Sequence, residues 1–384
     1  MVKNEEILKI LKEEPVSEKL EKEKKEVKKY LEEVVYPSGT VYAIKDNPSF
    51  TSYMVKFDQR NEDMTIRMAS GSARELAKKR LIVHFDIRHS FPMISSVGNT
   101  IRVDIPKKPE DKGVLRLGSL LEYVSKAKDK GVVLPVPFGL GADGKVKVKD
   151  MNKTETRSLL IAGQNGSGKT VFGRNLLVNL LLSNNSKNVK VMLFDPKGTE
   201  FPKFRGIKGV IKISDDIEAM YKDADDIISE MNERNNIFKI SGCGNFEEYN
   251  KKNPDKKMPF YFIFVDEYQN ILSAKTGKLF DESMGEIARK GRSAGIHLIV
   301  MTQRPTAKEL GNIRSELTGR ICFKVDTANT AKMALGKSGS GAEYLLGNGD
   351  GIMMEGDTKM RFQAPFIDFE ELDALCDYLR KNRE

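Results

Sequence analysis

The chain is poor in the residues that hold metals and disulfides. It has three cysteines in 384 residues, Cys243, Cys322 and Cys376, and no two of them form a C-x-x-C pair. That usage supports neither a disulfide framework nor a zinc site, and buried or incidental thiols in a reducing compartment are expected. The three histidines, His84, His89 and His297, are too scattered for a metal cluster. No apolar run approaches the roughly 20 residues that a membrane-crossing helix needs. The opening Met1-Val2-Lys3-Asn4 also lacks a signal-peptide core. The expectation is a cytoplasmic protein with no transmembrane segment, recruited peripherally if it works at a membrane.

Charge, by contrast, is plentiful. There are 64 Lys and Arg against 55 Asp and Glu, a net charge of +9. Such an excess suits a polyanion but does not by itself identify one. With 39% hydrophobic and 31% charged residues the chain reads as soluble and globular, long enough for two or three domains.

One octapeptide carries more chemistry than the rest. Gly163, Gln164, Asn165, Gly166, Ser167, Gly168, Lys169 and Thr170 fit G-x-x-x-x-G-K-[ST], the phosphate-cradling P-loop. Its glycines let the backbone turn sharply, so that successive N–H groups converge on one anion. Lys169 would reach the β- and γ-phosphates of ATP and the Thr170 hydroxyl would hold Mg²⁺. The context agrees: 158–162 reads as a buried strand, and 171–182, beginning at Val171, reads as a helix whose N-terminus meets the phosphate.

Residues 1–35 are rich in Lys and Glu, with Leu20, Val27, Leu31 and Val34 near helical spacing. They are expected to form a charged amphipathic helix, broken near Pro15. It is either a solvated leader or a contact with a neighbouring subunit, a membrane complex or a transfer-complex partner. Residues 36–134 read as a small α+β domain, with strands at 41–44, 52–57, 82–87 and 100–106 and a helix at 72–80. From 135 to 384 apolar strands alternate with amphipathic helices, as a mostly parallel sheet requires. Strands are expected at 158–162, 189–194, 260–265, 296–301 and 320–325, a long charged helix at 217–240, and a structured glycine-rich loop at 336–351.

A P-loop gives binding, not a reaction. The apolar strand 260–265 ends in Asp266 and Glu267, the Walker B pattern. Asp266 would support Mg²⁺ and Glu267 would orient and deprotonate the attacking water. The strand 296–301 ends in Thr302 and Gln303; placed between the Walker A and Walker B strands, it would let Gln303 sense the γ-phosphate. Asp195 and Lys197 end 189–194 in the same way and should lie at the nucleotide edge, or form a plain turn. A further positive charge is expected in the transition state, often from a neighbouring subunit. Arg289, Arg292 and Arg320 are candidates, each with a surface or salt-bridge role as the alternative.

Together, several segments resemble the motor of the FtsK/SpoIIIE family of DNA translocases. They are Pro137-Phe138-Gly139-Leu140-Gly141, Asp195-Pro196-Lys197, Asp266-Glu267, residues 288–298, Thr302-Gln303-Arg304-Pro305 and Tyr344-Leu345-Leu346-Gly347-Asn348-Gly349-Asp350. The match runs from about 135 to 368, and 40–134 resemble, more weakly, the small domain before that motor. The resemblance implies an α/β fold: a RecA-like P-loop ATPase motor with a mostly parallel central sheet, preceded by a small α+β domain and a charged N-terminal helix. It implies a homo-oligomer, a hexameric ring with ATP sites between subunits, that pumps double-stranded DNA sequence-independently through its pore. Arg320 or its neighbourhood would then act in trans. Membrane helices before the motor and a winged-helix module after it are missing from this sequence, so it looks more like the FtsK-like proteins of conjugative elements, plasmids or phages. Pore-facing loops should carry the DNA contacts, Lys203, Arg205 and Lys208 in 199–209 and Lys275 and Lys278 in 273–279. Two other readings stay open, a P-loop motor for protein export and a nucleotide-gated coupling protein recruited through 1–35.

Overall fold

The computed structural model describes residues 19–57, 70–87, 91–356 and 358–382. The expected break near Pro15, like the first half of the N-terminal helix, lies outside the described residues.

The smaller of two sheets is antiparallel. Its strands are β1 (Gly39–Asp46), β2 (Phe50–Phe57), β3 (Met93–Val97) and β4 (Thr100–Pro106), in the order β1-β2-β4-β3. Period-two alternation puts Tyr53, Val55 and Phe57 of β2 and Ile101, Val103 and Ile105 of β4 into one buried cluster. Two helices cover that cluster. Lys19–Tyr30, continued by the π-helical turn Leu31–Val35, contributes Val27, Leu31 and Val35, and Gly71–His84 contributes Ala77 and Leu81.

The strand expected at 82–87 is not there. The helix Gly71–His84 runs through Ile82 and Val83, and a turn follows. β-branched residues cost a helix only a few tenths of a kcal/mol each. Burying Leu81 on the sheet is worth about 1.5–3 kcal/mol, and Tyr30 stacks on the His84 ring at 3.7 Å and holds the last turn. Tertiary packing therefore overrides local preference.

The larger sheet has ten strands: β5 (Pro135–Gly141), β6 (Val146–Asp150), β7 (Ser158–Ala162), β8 (Val189–Phe194), β9 (Val210–Ser214), β10 (Phe260–Val265), β11 (Ile296–Thr302), β12 (Gly319–Phe323), β13 (Asp350–Glu355) and β14 (Thr358–Gln363). Their order is β6-β5-β14-β13-β12-β7-β11-β10-β8-β9. The strands from β12 to β9 in that order are parallel, and β13, β14, β5 and β6 add an antiparallel wing. Helices cover both faces of the parallel part, Lys169–Ser183 on one and Ile217–Ile240 and Gly277–Ala294 on the other. That is why β7, β10 and β11 are apolar along nearly their whole length. This is a RecA-like P-loop ATPase fold, as expected.

The parallel strands end at one edge. β11 lies between β7 and β10, so the residues that follow β7, β8, β10 and β11 share that edge. The small domain is fixed to the wing by buried polar contacts: Arg361 of β14 pairs with Asp104 of β4 at 2.9 Å, and Ser49 donates to Gln363 at 2.8 Å.

All three cysteines are buried free thiols. Burial pushes the Cys376 thiol up to about 11. His297 stacks on Phe262 at 4.5 Å, and burial, with Arg157 nearby, holds it down at about 3. It is a neutral core residue. Among the described residues no helix is long and apolar enough to cross a membrane.

Candidate nucleotide site

The P-loop is suspended between its neighbours. The Gly163 N–H donates to the carbonyl of Thr302 at 3.2 Å and the Gln164 N–H to that of Lys324 at 2.9 Å. Gly166 and Gly168 have φ of 73° and 104°, a region that glycine enters without strain. Gly168 caps the helix Lys169–Ser183, so the loop meets a helix N-terminus of fifteen residues.

Above the loop lies a cavity of about 480 Å³. The P-loop supplies its floor through Gln164, Asn165, Gly166, Gly168, Lys169, Thr170 and Val171. Two remote segments close it, 112–115 and 363–366, and Val114, Leu115, Pro365 and Phe366 make that wall apolar. The Phe366 N–H donates to the Leu115 carbonyl at 2.7 Å, and Arg116 lies 5.5 Å above the Phe366 ring. A polar cradle facing an apolar wall suits a nucleotide, whose phosphates and base make opposite demands.

A glycine-to-alanine change tests the cradle. At Gly168 a Cβ would be strained and would collide with the backbone nitrogen of Gly349. The strain alone is about 1–2 kcal/mol, so Gly168→Ala should weaken binding of a fluorescent ATP analogue by about tenfold or more, with circular dichroism unchanged. Undiminished affinity would show that the loop can shift without losing its ligand.

Beside the cradle, Lys169 is almost wholly buried and donates to Glu267 Oε1 at 3.2 Å and Asp266 Oδ1 at 3.5 Å. Gln303 Nε2 donates to the same Glu267 oxygen at 2.7 Å. Burial, opposed by Lys169 and reinforced by Glu267, Glu200 and Asp195, pushes the Asp266 carboxyl up to about 6. Glu267 is also buried, but Lys169 and hydrogen bonds from Gln303, Gln269 and Lys169 outweigh that burial and hold it below its ordinary value. Its backbone is left-handed, φ 49°, so a non-glycine residue is strained here and held by its partners.

Gln269 is the partner that sequence reading missed. Its amide nitrogen donates to Glu267 Oε2, and its oxygen accepts from the Thr302 hydroxyl at 2.9 Å. The only signal for it was its place two residues beyond Glu267. The cavity wall from the small domain and from 363–366 had no local signal at all.

The other expected residues are spread between the nucleotide edge and the opposite one. Asp195 is buried at the right edge, but its carboxylate accepts from the N–H groups of Lys197, Glu200 and Phe201 and so organises its own turn. Lys197 is exposed. The loop 199–209 starts at the nucleotide edge but runs back across the sheet, because β9 is parallel to β8 and must begin at the opposite edge. Lys203 there pairs with Asp373 at 2.6 Å, Arg205 offers its carbonyl to Arg380, and Lys208 lies beside the start of β9. Lys275 and Lys278 are exposed and follow the short helix Tyr268–Leu272 that leaves the Walker B end. Arg292 lies at the C-terminal end of Gly277–Ala294, and Arg320 near the start of β12. Both sit at the edge remote from their own P-loop. Arg320 is half-buried and donates to the carbonyls of Ala334 and Arg314, whereas Arg292 is exposed, as is Arg289.

The FtsK/SpoIIIE family profile matches residues 120–278, which include both the P-loop and Asp266-Glu267. The DNA translocase FtsK of Chlorobaculum tepidum is 33% identical over 297 residues, 73% of this chain and 36% of that protein. The DNA translocase FtsK of Campylobacter jejuni is 32% identical over 270 residues, 68% of this chain and 28% of that protein. The chain therefore spans about a third of the length of the curated relatives it matches. Among solved structures, the cytoplasmic domain of the Type VII secretion ATPase EccC of Thermomonospora curvata is 27% identical, with a TM-score of 0.57 over 65% of this chain and 31% of that one. The pCW3 conjugation coupling protein TcpA is 19% identical, with a TM-score of 0.61 over 94% of this chain and 100% of that one, a likeness of fold. With the strand order, the P-loop edge and the similarity to these translocases in agreement, the chain belongs to the FtsK/SpoIIIE family.

Proposed function

We propose that this chain is an ATP-driven motor that translocates double-stranded DNA, working as a hexameric ring. The observation that carries the hydrolytic half is Glu267, a buried carboxylate held between Lys169 and Gln303 beside the P-loop cavity. Lys169 and the loop N–H groups would clamp the phosphates. Glu267 would take the proton of the attacking water. Gln303, bonded to Glu267 and one residue from the Thr302 that holds Gly163, would report loss of the γ-phosphate to both. Thr170 and Asp266 would hold Mg²⁺, which when bound neutralises charge on the phosphate oxygens. The buried Asp266 carboxyl, which shares the single Lys169 ammonium with Glu267, fits a cation there.

Ring assembly is supported by where two of the candidate arginines lie. Arg292 and Arg320 lie across the sheet from the P-loop, so either would have to serve a neighbour's nucleotide; the exposed Arg292 is the freer of the two. A role in conjugative, plasmid or phage DNA transfer, with peripheral recruitment through residues 1–35, is the narrower reading. Because Val27, Leu31 and Val35 belong to the small-domain core, the test removes residues 1–18 alone, which should abolish partner binding and leave hydrolysis intact.

Two measurements test the motor. Linear duplex DNA should stimulate hydrolysis, and ATP should drive displacement of a triplex strand from that duplex. Stimulation without displacement would remove the pump and leave a DNA-dependent ATPase. Reversing charge at Lys275 and Lys278 should abolish the stimulation and spare basal hydrolysis, since lysines facing phosphates give sequence-independent, salt-sensitive binding. Unchanged stimulation would exclude that loop. The likeness to the EccC secretion ATPase favours one rival, a motor for protein export. Hydrolysis indifferent to DNA would favour that rival.

A further inference from the structure

Residues far from the P-loop in sequence close its cavity, and they are bonded to one another. Gly347, Asn348 and Gly349 have φ of 79°, 49° and 86°. For asparagine that conformation costs roughly 1 kcal/mol, so the segment must be held by its surroundings. It is held from both sides. The Gly349 N–H donates to the carbonyl of Ser167, in the P-loop, at 2.9 Å, and Gly168 packs so closely beneath that no Cβ fits. On the other side Gln363 Nε2 donates to the Asn348 carbonyl at 2.7 Å, and the Ala364 N–H donates to the Gly349 carbonyl at 2.7 Å. Gln363 Oε1 accepts from Ser49 Oγ at 2.8 Å. Ser49 belongs to the turn between β1 and β2 of the small domain, and it and Gln363 are each 5% exposed.

We propose that Gln363 is a positioning residue that ties the P-loop to the small domain, so that the seat of Ser49 sets how firmly the loop holds a nucleotide. The proposal rests on reading the P-loop as the nucleotide site. A glutamine suits the task because one planar group accepts at one end and donates at the other. With Nε2 committed to Asn348, Oε1 is presented to Ser49. The Ser49 bond is buried and the Asn348 bond partly so, so removing the Ser49 hydroxyl leaves a desolvated Gln363 oxygen unsatisfied instead of exchanging it for water. The second link between the domains ends nearby: Arg361 joins Asp104 of the small domain to Asp350, the residue after Gly349. Displacing the small domain therefore moves both supports of 347–349 together.

Hydrogen exchange and nucleotide binding on the full chain decide the matter. In nucleotide-free protein, Ser49→Ala should speed amide exchange across 346–350 several-fold. It should also weaken a fluorescent ATP analogue by about three- to tenfold. Gln363→Met keeps the length, loses both bonds and should act at least as strongly. The double variant should be no weaker than Gln363→Met alone, because the two changes break one path. Thr51→Val is the matched control: its hydroxyl bonds Asp46 within the small domain, and both readouts should stay at wild-type values. Unchanged exchange at 346–350 in Ser49→Ala, or additive losses in the double variant, would overturn the relay. If the wild-type chain bound no nucleotide, the reading of the P-loop would fall, while the exchange data would still decide whether Ser49 holds 347–349.

Discussion

Replacing Glu267 with glutamine should lower ATP hydrolysis by about 10²- to 10⁴-fold, the usual contribution of a positioned general base, and leave nucleotide affinity within a few-fold of wild type. The side chain keeps its size, so the cavity is unchanged, and its remaining carbonyl oxygen can still accept from Lys169 or Gln303. What disappears is the basic oxygen. Lys169 is shared between Asp266 and Glu267 at 3.5 and 3.2 Å. A phosphate competes for the same ammonium, and drawing Lys169 away removes the chief charge that holds Glu267 low. Binding would therefore free Glu267 and make it more basic at the moment a base is needed. Steady-state hydrolysis and equilibrium binding, measured on the same preparation, check this. Turnover near the wild-type rate would mean that Glu267 is not the base. A parallel collapse of affinity and rate would mean that it builds the site instead.

The parts of this site that could be read from sequence are those built from contiguous residues. The P-loop and Asp266-Glu267 each sit on a strand end, and a run such as Phe-Tyr-Phe-Ile-Phe-Val announces a strand buried on both faces. Gln303 was legible because it follows another such run, and strand order placed it beside Glu267. The antiparallel wing was not legible in the same way. β6 is Val-Lys-Val-Lys-Asp and β14 begins Thr-Lys-Met-Arg, short and charged like surface loops. Their pairing with the rest of the sheet is a property of topology. Yet β14 delivers Arg361 to Asp104 and Gln363 to Ser49, a pair separated by 314 residues. No local pattern encodes such a meeting. The misread segment 82–87 fails for the opposite reason. Its β-branched residues carry a genuine local preference, but Val83 points to solvent and the helix is decided by Ala77 and Leu81.

Arg361→Met should destabilise the chain by about 3–5 kcal/mol near neutral pH, the usual cost of stranding a buried charge by removing its partner. Arg361 is 1% exposed and bonds Asp350 through Nε and Nη2 at 3.0 and 2.8 Å, and Asp104 through Nη1 at 2.9 Å. Its guanidinium also lies 3.9 Å above the Phe50 ring. Burial by itself would raise the Asp104 carboxyl, but Arg102, Arg361 and the Ser52 hydroxyl outweigh it and hold it below its ordinary value. A carboxyl lowered on folding adds stability that is present above its unfolded pKa, about 3.9, and is lost as the pH falls through the folded value. The wild-type chain should thus weaken on strong acidification. In the variant the balance turns: Arg361 is gone, burial gains on the remaining Arg102, and Asp104 protonates more readily in the fold. The deficit of the variant should therefore shrink as the pH is lowered from about 7 toward about 4. Urea midpoints of both proteins across that range measure it. The small domain is expected to loosen first, so protease cleavage between β1 and β4 should rise before the ten-stranded sheet gives way. A penalty below about 1 kcal/mol, within reach of an exposed ion pair, or one that ignores pH, would show that the two domains do not depend on this contact.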